Sequence, residues 1–246
     1  MFYTNLVLRS SYHMRFVSLM IVLLFLNSCS GSIYNNNSPF FKGTFLKVEK
    51  IVQIRACNPK NPKQCLTKKY GSSASSFLVG HKGEFSYLLT SAHVCKTDFG
   101  KLVFLPNFEY IINFYGIDLS ENEHPFYIVL MDHLNDLCLV ATPRIKAKSY
   151  KIAKRLPRLG DKVYNISSPT GIFGKDMVPL FSGYYSGKAH NRLIFSLPAT
   201  GGSSGSPILN KRGEVVGVVS AVTKNFKNLI IASKLEAIKE MIKDGI

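Results

Sequence analysis

Serine, histidine and aspartate side chains occur in three segments of this 246-residue sequence where they could act together in catalysis. Residues 200–207 read TGGSSGSP and place serines on a glycine-rich turn. A serine nucleophile needs a hydroxyl that is exposed on a tight turn, and glycines let backbone amides point at a developing oxyanion. The segment offers both features, although a loop rich in glycine and serine can also be a simple turn.

The other two segments supply a base and an acid. In residues 88–94, LLTSAHV, an apolar run ends in small residues that allow a sharp turn and present His93. A single histidine is more often structural or exposed, but only this one has such a context. Asp136 stands directly before the apolar run 137–140, LCLV, and a triad carboxylate must be buried and fixed against its imidazole. Asp132 is the competing acid.

The three segments resemble the active-site motifs of trypsin-like, chymotrypsin-fold serine peptidases, in particular bacterial glutamyl endopeptidases and Deg-type envelope proteases. In that register the catalytic residues are His93, Asp136 and Ser204, in the chain order of the chymotrypsin-like fold. The family pattern of an aspartate followed by four apolar residues matches Asp136 and not Asp132. The resemblance implies a serine endopeptidase that forms an acyl-enzyme, with the amides of Gly202 and Ser204 as the oxyanion hole.

The resemblance extends from about residue 43 to the C-terminal helix. Residues 216–220, VGVVS, match the strand after the nucleophile and place Ser220 as a hydrogen-bond neighbour of the triad aspartate. Ser203 stands where trypsins have an aspartate that pairs with a freed N-terminal amine. Activation by N-terminal cleavage is therefore not expected.

The resemblance also implies which residues select the side chain before the cut bond. No acid stands at the base of this pocket, so a buried Lys or Arg of the substrate would lack a partner. Glutamyl endopeptidases use a histidine at the position of Val219, and that donor is missing here. We expect a shallow apolar pocket that favours small or medium aliphatic residues. Its residues are Pro198, Ala199, Thr200, Val219, Ala221 and Val222.

Two strand-rich blocks must position these residues. Short apolar runs separated by turns occupy 43–142 and again 161–233, which predicts an all-β fold with the strand content of two barrels. The resemblance implies two antiparallel six-stranded barrels with the active site in the cleft between them. The basic segment 143–160 is interpreted as the interdomain crossing. An α-helix is predicted for 234–246, and Ser233 and Glu236 have the spacing of a capping box at its start.

The cysteines suggest disulfide bonds and no metal site. Cys57 and Cys65 bracket a turn-rich loop and are predicted to form a local bridge. Cys95 and Cys138 each lie two residues beyond His93 and Asp136, which the triad places side by side, so either a bridge or two buried thiols would fit. No Cys-x-x-Cys or His-x-x-x-His spacing is present, and neither a metal nor another cofactor is expected.

The N-terminal sequence is typical of an export signal. A positive flank precedes a short apolar run at 16–26, which is too short to span a bilayer. Residues 26–29, LNSC, resemble the bacterial lipobox, which predicts a signal peptide at 1–28, an acylated Cys29 and a tether at 29–42; a plain cleaved signal is the alternative. Met14 is a more typical start than Met1. Ser30 after the cysteine favours the outer membrane, facing the periplasm.

The sequence carries a net charge of +16, and removal of residues 1–28 would leave it strongly basic. This charge favours contact with anionic lipid or polysaccharide, although a solvated basic surface is the commoner explanation. No nucleic-acid-binding signature accompanies the charge, so a polypeptide substrate and a membrane are the expected partners. The alternative function is a catalytically inactive, protease-like lipoprotein that binds envelope components, and an intact set of three catalytic residues argues against it.

Overall fold

A computed structural model of the chain describes residues 38–58, 61–100, 108–223, 226 and 228–246. The predicted signal peptide, Cys29 and most of the predicted tether lie outside these residues. The described residues form two antiparallel sheets and a C-terminal helix, which confirms the predicted class, all-β with two barrels. Within the described ranges, no helix is long and apolar enough to cross a membrane.

The first sheet has seven strands where six were predicted, and it is curled rather than closed into a barrel. In chain order these are β1 (Phe45–Asn58), β2 (Asn61–Lys82), β3 (Phe85–Thr90), β4 (Glu109–Ile117), β5 (Glu123–Pro125), β6 (Tyr127–Asp132) and β7 (Leu137–Pro143). Across the sheet the order is β5-β4-β1-β2-β3-β7-β6. A short helix, α1 (Ala92–Cys95), follows β3. The turn 133–136 joins β6 to β7, so the predicted histidine and aspartate both lie at ends of neighbouring strands of this sheet.

The second sheet closes into a barrel of six strands. These are β8 (Lys162–Ile166), β9 (Leu180–Ala189), β10 (Arg192–Ser196), β11 (Pro207–Leu209), β12 (Val215–Val222) and β13 (Leu229–Ala232). Around the barrel the order is β10-β13-β12-β11-β8-β9. The serine-rich segment 200–207 connects β10 to β11. A one-residue register shift between Val219 and Ala221 marks a β-bulge in β12.

One hydrophobic cluster joins the two sheets and the C-terminal helix. Phe77 and Leu89 of the first sheet pack in it with Ile166 and Val218 of the second and with Met241 of the helix. Burial of large apolar side chains is the dominant stabilising term in folding, at about 25 cal/mol per Å² of apolar surface. The packing of the two sheets is therefore part of the core that stabilises the fold.

The C-terminal helix, α2 (Leu235–Gly245), turns an amphipathic face to this core. The predicted capping box is wrong. Lys234 occupies the N-cap position, without a side-chain cap. The Ser233 hydroxyl instead donates to the carbonyl of Asn135 at 2.8 Å, in the turn that carries the predicted catalytic aspartate. A tertiary hydrogen bond has taken the place of the local one that the sequence spacing indicated.

Candidate active site

His93 lies on the short helix α1, directly after strand β3. The residue before the helix, Ser91, is buried, and its Oγ donates to the carbonyl of Val219 at 2.8 Å. This bond fixes the start of the helix against strand β12 of the second barrel. The His93 side chain remains half exposed, at 50%. The fold thus presents the imidazole to solvent from a firmly held turn.

Three hydrogen-bonding groups contact the carboxylate of Asp136. His93 Nδ1 lies 3.0 Å from Oδ1 and 2.9 Å from Oδ2, and the His93 backbone amide donates to Oδ1 at 3.0 Å. The Ser220 hydroxyl donates to Oδ2 at 2.5 Å. Ser220 is the residue at the β12 bulge, and bulges commonly redirect a side chain in this way. The structure therefore brings together the predicted histidine, aspartate and supporting serine.

The environment of Asp136 favours its charged form. Burial alone would raise the pKa of this carboxyl, but the hydrogen bonds from His93 and Ser220 outweigh it and hold the pKa below its usual value. A carboxylate that stays ionised can orient the imidazole and stabilise the imidazolium that forms when His93 takes a proton. Asp136 has a left-handed backbone, with a φ of 54°, which aspartate tolerates better than most residues.

Ser204 opens onto the same pocket as His93. The pocket has a volume of about 410 Å³, and its walls include Gly201 and Gly202. Between these described residues the Ser204 hydroxyl makes no hydrogen bond to the imidazole. Catalytic hydrogen bonds are often long without substrate and tighten only in the complex. The shared pocket is thus the observation that relates Ser204 to His93, and through His93 to Asp136.

The backbone around Ser204 requires glycine on both sides. Gly202 and Gly205 have φ angles of 92° and 83°, in the left-handed region. A Cβ on Gly202 would lie 2.3 Å from the carbonyl oxygen of Ser168. In the described part of the chain, the amides of Gly202 and Ser204 donate to no protein acceptor. Both predicted oxyanion donors therefore remain available.

Two contacts that the sequence analysis missed fix this loop. The Thr170 amide donates to the carbonyl of Gly201 at 2.6 Å, which orients the Gly201–Gly202 peptide. The buried Ser75 hydroxyl donates to the carbonyl of Gly202 at 2.8 Å and accepts from the Ser168 amide at 3.1 Å. Since a peptide N–H points opposite to its carbonyl, the first bond turns the Gly202 amide away from Thr170. The turn 168–171, which is buried at Ser168 and Pro169, and Ser75 thus act as a scaffold for the loop that carries Ser204.

Lys50 is a further residue that the sequence analysis missed. Its ammonium donates to the carbonyls of Val94 at 3.0 Å, Cys95 at 3.1 Å and Lys96 at 2.7 Å. These are the last carbonyls of helix α1 and its C-terminal extension, where a cation is favourable. Burial lowers the pKa of Lys50. The alternation of residues along a strand could have indicated this role. Every second residue of β1 from Leu46 through Val48 to Lys50 is buried, so the lysine belongs to the inward-facing set.

Both disulfide bonds considered from the sequence are present in the structure. Cys57 and Cys65 join β1 to β2 near the end of their hairpin. Cys95 and Cys138 are bonded with their Cα atoms 6.5 Å apart, so the alternative of two buried thiols is wrong. This second bridge links the helix of His93 to the strand that follows Asp136. It restrains the separation of the two residues covalently.

The six residues expected to select the substrate side chain flank the serine loop. Pro198, Ala199 and Thr200 lead into it, and Val219 is buried on strand β12 beside it. The Val219 carbonyl accepts from the Gly205 amide at 2.8 Å, which joins β12 to the loop. Ala221 is exposed, and Val222 packs partly against the core of the second barrel. Their role in specificity stays a prediction.

The two sheets, with their connecting loops at one pocket, define the chymotrypsin-like fold class. The family model described as trypsin-like peptidase domain matches residues 74–218, more than half of the chain. The chain belongs to this family of serine peptidases.

Comparison with solved structures supports the same fold. The crystal structure of the serine endoprotease from Yersinia pestis is similar, with a TM-score of 0.56 and 18% sequence identity. The match covers 79% of this chain and 61% of that one, so the chain spans about three fifths of that protein's length. No curated protein sequence matches this chain.

Proposed function

We propose that the protein is an exported serine endopeptidase that uses His93, Asp136 and Ser204 as a catalytic triad. The observation that carries the proposal is the bifurcated contact of His93 Nδ1 with both carboxylate oxygens of Asp136, at 2.9 and 3.0 Å, beside a pocket that His93 shares with Ser204. Membership in the trypsin-like peptidase family supports it. The substrate class is polypeptide.

The proposed chemistry uses only groups of this chain. Ser204 Oγ attacks the peptide carbonyl while His93 takes its proton, and Asp136 holds the imidazole in the required tautomer. The amides of Gly202 and Ser204 stabilise the oxyanion, and this type of stabilisation is worth about 10²–10³ in kcat per donor. His93 then gives the proton to the leaving amine. Water hydrolyses the acyl-enzyme by the same steps, with His93 as the base.

A fluorophosphonate probe tests the nucleophile. The wild-type protein should be labelled and should cleave a casein-like substrate, and Ser204→Ala should lose both activities. Ser72→Ala is a matched control, because Ser72 is exposed in the same pocket but has no role in the chemistry. Equal labelling of wild type and Ser204→Ala would contradict the assignment and favour the alternative, an inactive protease-like protein that binds envelope components.

The specificity proposal is that small or medium aliphatic residues such as Val, Ala or Ile precede the cut bond. Its support is the apolar character of Val219, Ala221 and Val222 and the lack of an acid at Pro198. Cleavage-site profiling of a peptide library by mass spectrometry tests it. A dominant Arg, Lys or Glu at that position would show that the pocket residues are misassigned.

We further propose export with a lipid anchor on Cys29, in the outer membrane and facing the periplasm. The support is the lipobox-like segment 26–29 with Ser30 after it, and the basic charge of the chain is suited to anionic lipid or polysaccharide. The protein should partition with membranes and incorporate labelled palmitate, and Cys29→Ser should abolish the incorporation. Undiminished incorporation in that variant would refute the anchor.

A further inference from the structure

A second, apolar cavity adjoins the catalytic pocket. It has a volume of about 310 Å³, within the range of small-ligand pockets, which begins at about 300 Å³. Val52, Tyr70, Thr97 and Asp98 line both spaces, so the outer cavity lies directly beside the catalytic pocket. Ile54 and Phe99 line only the outer one. We call this outer cavity the hairpin groove, because strands β1 and β2 form one of its walls.

The walls of the hairpin groove are suited to apolar side chains. Ile54 is buried, whereas Tyr70 is 53% exposed. The ring of Phe99 packs on Tyr110 of strand β4, with centroids 4.6 Å apart. Charges are few, and Asp98 lies 3.8 Å from the ammonium of Lys96. An aromatic or large aliphatic side chain would be removed from water there without leaving a charge unpaired.

The chemistry of the triad determines which part of a substrate reaches this groove. His93 must hand its proton to the leaving amine, so the chain that begins at this amine starts beside His93. Beside His93 the catalytic pocket is lined by Val94 of helix α1 and by Thr97 after that helix, and Thr97 also lines the hairpin groove. The residues proposed to hold the side chain before the cut bond, 198–200 and 219–222, belong to the second barrel. The two parts of the substrate therefore leave Ser204 along different walls.

We propose that the hairpin groove binds an aromatic or large aliphatic side chain of the substrate within about four residues after the cut bond, a distance of about 13 Å for an extended chain at 3.3 Å per residue. The inference rests on the proposed endopeptidase function. Together with the apolar pocket proposed for the residue before the cut bond, the groove predicts that the preferred substrates are polypeptides with apolar side chains on both sides of that bond. The selection after that bond comes from the long β1–β2 hairpin.

Binding to an inactive enzyme tests the groove separately from catalysis. The Ser204→Ala full-length chain is titrated with fluorescent peptides that differ only in having Phe, Leu or Ser at the four downstream positions. The Phe and Leu peptides should bind about tenfold more tightly, the lower end of the selectivity of an apolar pocket. Tyr70→Ser in the same background should remove this preference and Tyr70→Phe should keep it. Tyr184→Ser is the matched control, since Tyr184 is equally exposed, at 55%, on strand β9.

Equal binding of the Phe, Leu and Ser peptides would overturn the groove proposal, as would an unchanged preference in Tyr70→Ser. Cleavage of the same peptides by the chain with Ser204 intact gives the second readout. A binding preference without any cleavage would uphold the groove and refute the endopeptidase function. Cleavage without a downstream preference would uphold the function and refute the groove.

Discussion

At the scale of single residues, the site depends on buried polar groups whose partners are far away in the sequence. The Lys50 ammonium donates to three carbonyls that follow His93 in the chain, and the Ser75 hydroxyl donates to the carbonyl of Gly202 in the loop that carries Ser204. A buried polar group is costly unless its hydrogen bonds are made, so such residues have narrow tolerance for substitution. We therefore expect each of them to position a proposed reacting group that it does not itself contact.

Lys50→Met should lower kcat with little change in KM, because the three carbonyls would lose their common donor and helix α1 would no longer hold His93 in place. A misplacement of about 1 Å can cost about 10²-fold, so we expect a loss of ten- to a hundredfold. Lys50→Arg should restore part of it. Steady-state kinetics and thermal unfolding measure both effects. Lys68→Met, at an exposed position of β2, is the control; wild-type kcat in Lys50→Met would refute the role.

Asp136→Asn should lower kcat by about 10⁴, because the amide fixes the wrong imidazole tautomer. It should also change the acid dependence of stability. The native pKa of Asp136 is lowered below the unfolded value of about 3.9, so its carboxylate stabilises the fold above that pH and this stabilisation is lost as the pH falls through the native pKa.

The free energy of unfolding of the wild type should therefore rise more steeply with pH, below about pH 4, than that of Asp136→Asn. Urea unfolding at a series of pH values measures the slope. Asp244→Asn removes an exposed carboxylate of helix α2 and provides the control. Identical slopes for wild type and Asp136→Asn would argue against a lowered pKa at this carboxyl.

At the scale of elements, the segments that carry the proposed catalytic residues could be recognised in the sequence, whereas the contacts that support them could not. Strand ends and glycine turns are local patterns, and the resemblance of these patterns to the family motifs singled out His93, Asp136 and Ser204. The partners of Ser75 depend on which loop the fold brings against strand β2, and Ser75 and Gly202 are 127 residues apart. The failed capping box has the same cause, since Ser233 bonds to Asn135 and not within its own helix.

Ser75→Ala tests the scaffold of the oxyanion loop. The change removes the donor to the Gly202 carbonyl and leaves the buried Ser168 amide without its acceptor. We expect kcat to fall about tenfold or more with KM nearly unchanged, but by less than the 10²–10³ that loss of a direct oxyanion donor costs. Ser76→Ala is the matched control, because Ser76 is the neighbouring buried serine and its hydroxyl bonds to Leu46 within the sheet. Equal kcat in both variants would exclude a role for Ser75 in the loop.

At the scale of the whole molecule, the predicted triad draws on both sheets. His93 and Asp136 come from the first sheet, and Ser204 and Ser220 come from the second. The two-barrel class followed from the spacing of strands and turns, but the docking of the barrels depends on side-chain contacts that no local pattern encodes. The carbonyl of Asn135, next to Asp136, shows this dependence, because it accepts from two groups of the second half of the chain.

Arg192 makes two hydrogen bonds between the second barrel and the turn before Asp136. From strand β10 its guanidinium donates to the carbonyls of Asn135 at 2.8 Å and Leu134 at 2.7 Å, in the turn that ends with Asp136. Ser233 supplies the other bond to Asn135. The second barrel thus sets the position of an aspartate that belongs to the first.

Arg192→Ala should therefore lower kcat about tenfold, because Asp136 would no longer be held in its left-handed turn against His93, and KM should change little. Arg192→Lys should not rescue the loss, since an ammonium lacks the planar fork that reaches both carbonyls. Arg155→Ala, at an exposed position between the barrels, is the control. The rate of fluorophosphonate labelling, followed with steady-state kinetics, separates loss of activation of Ser204 from loss of substrate binding. Unchanged labelling and kcat in Arg192→Ala would mean that the first sheet alone is sufficient to position Asp136.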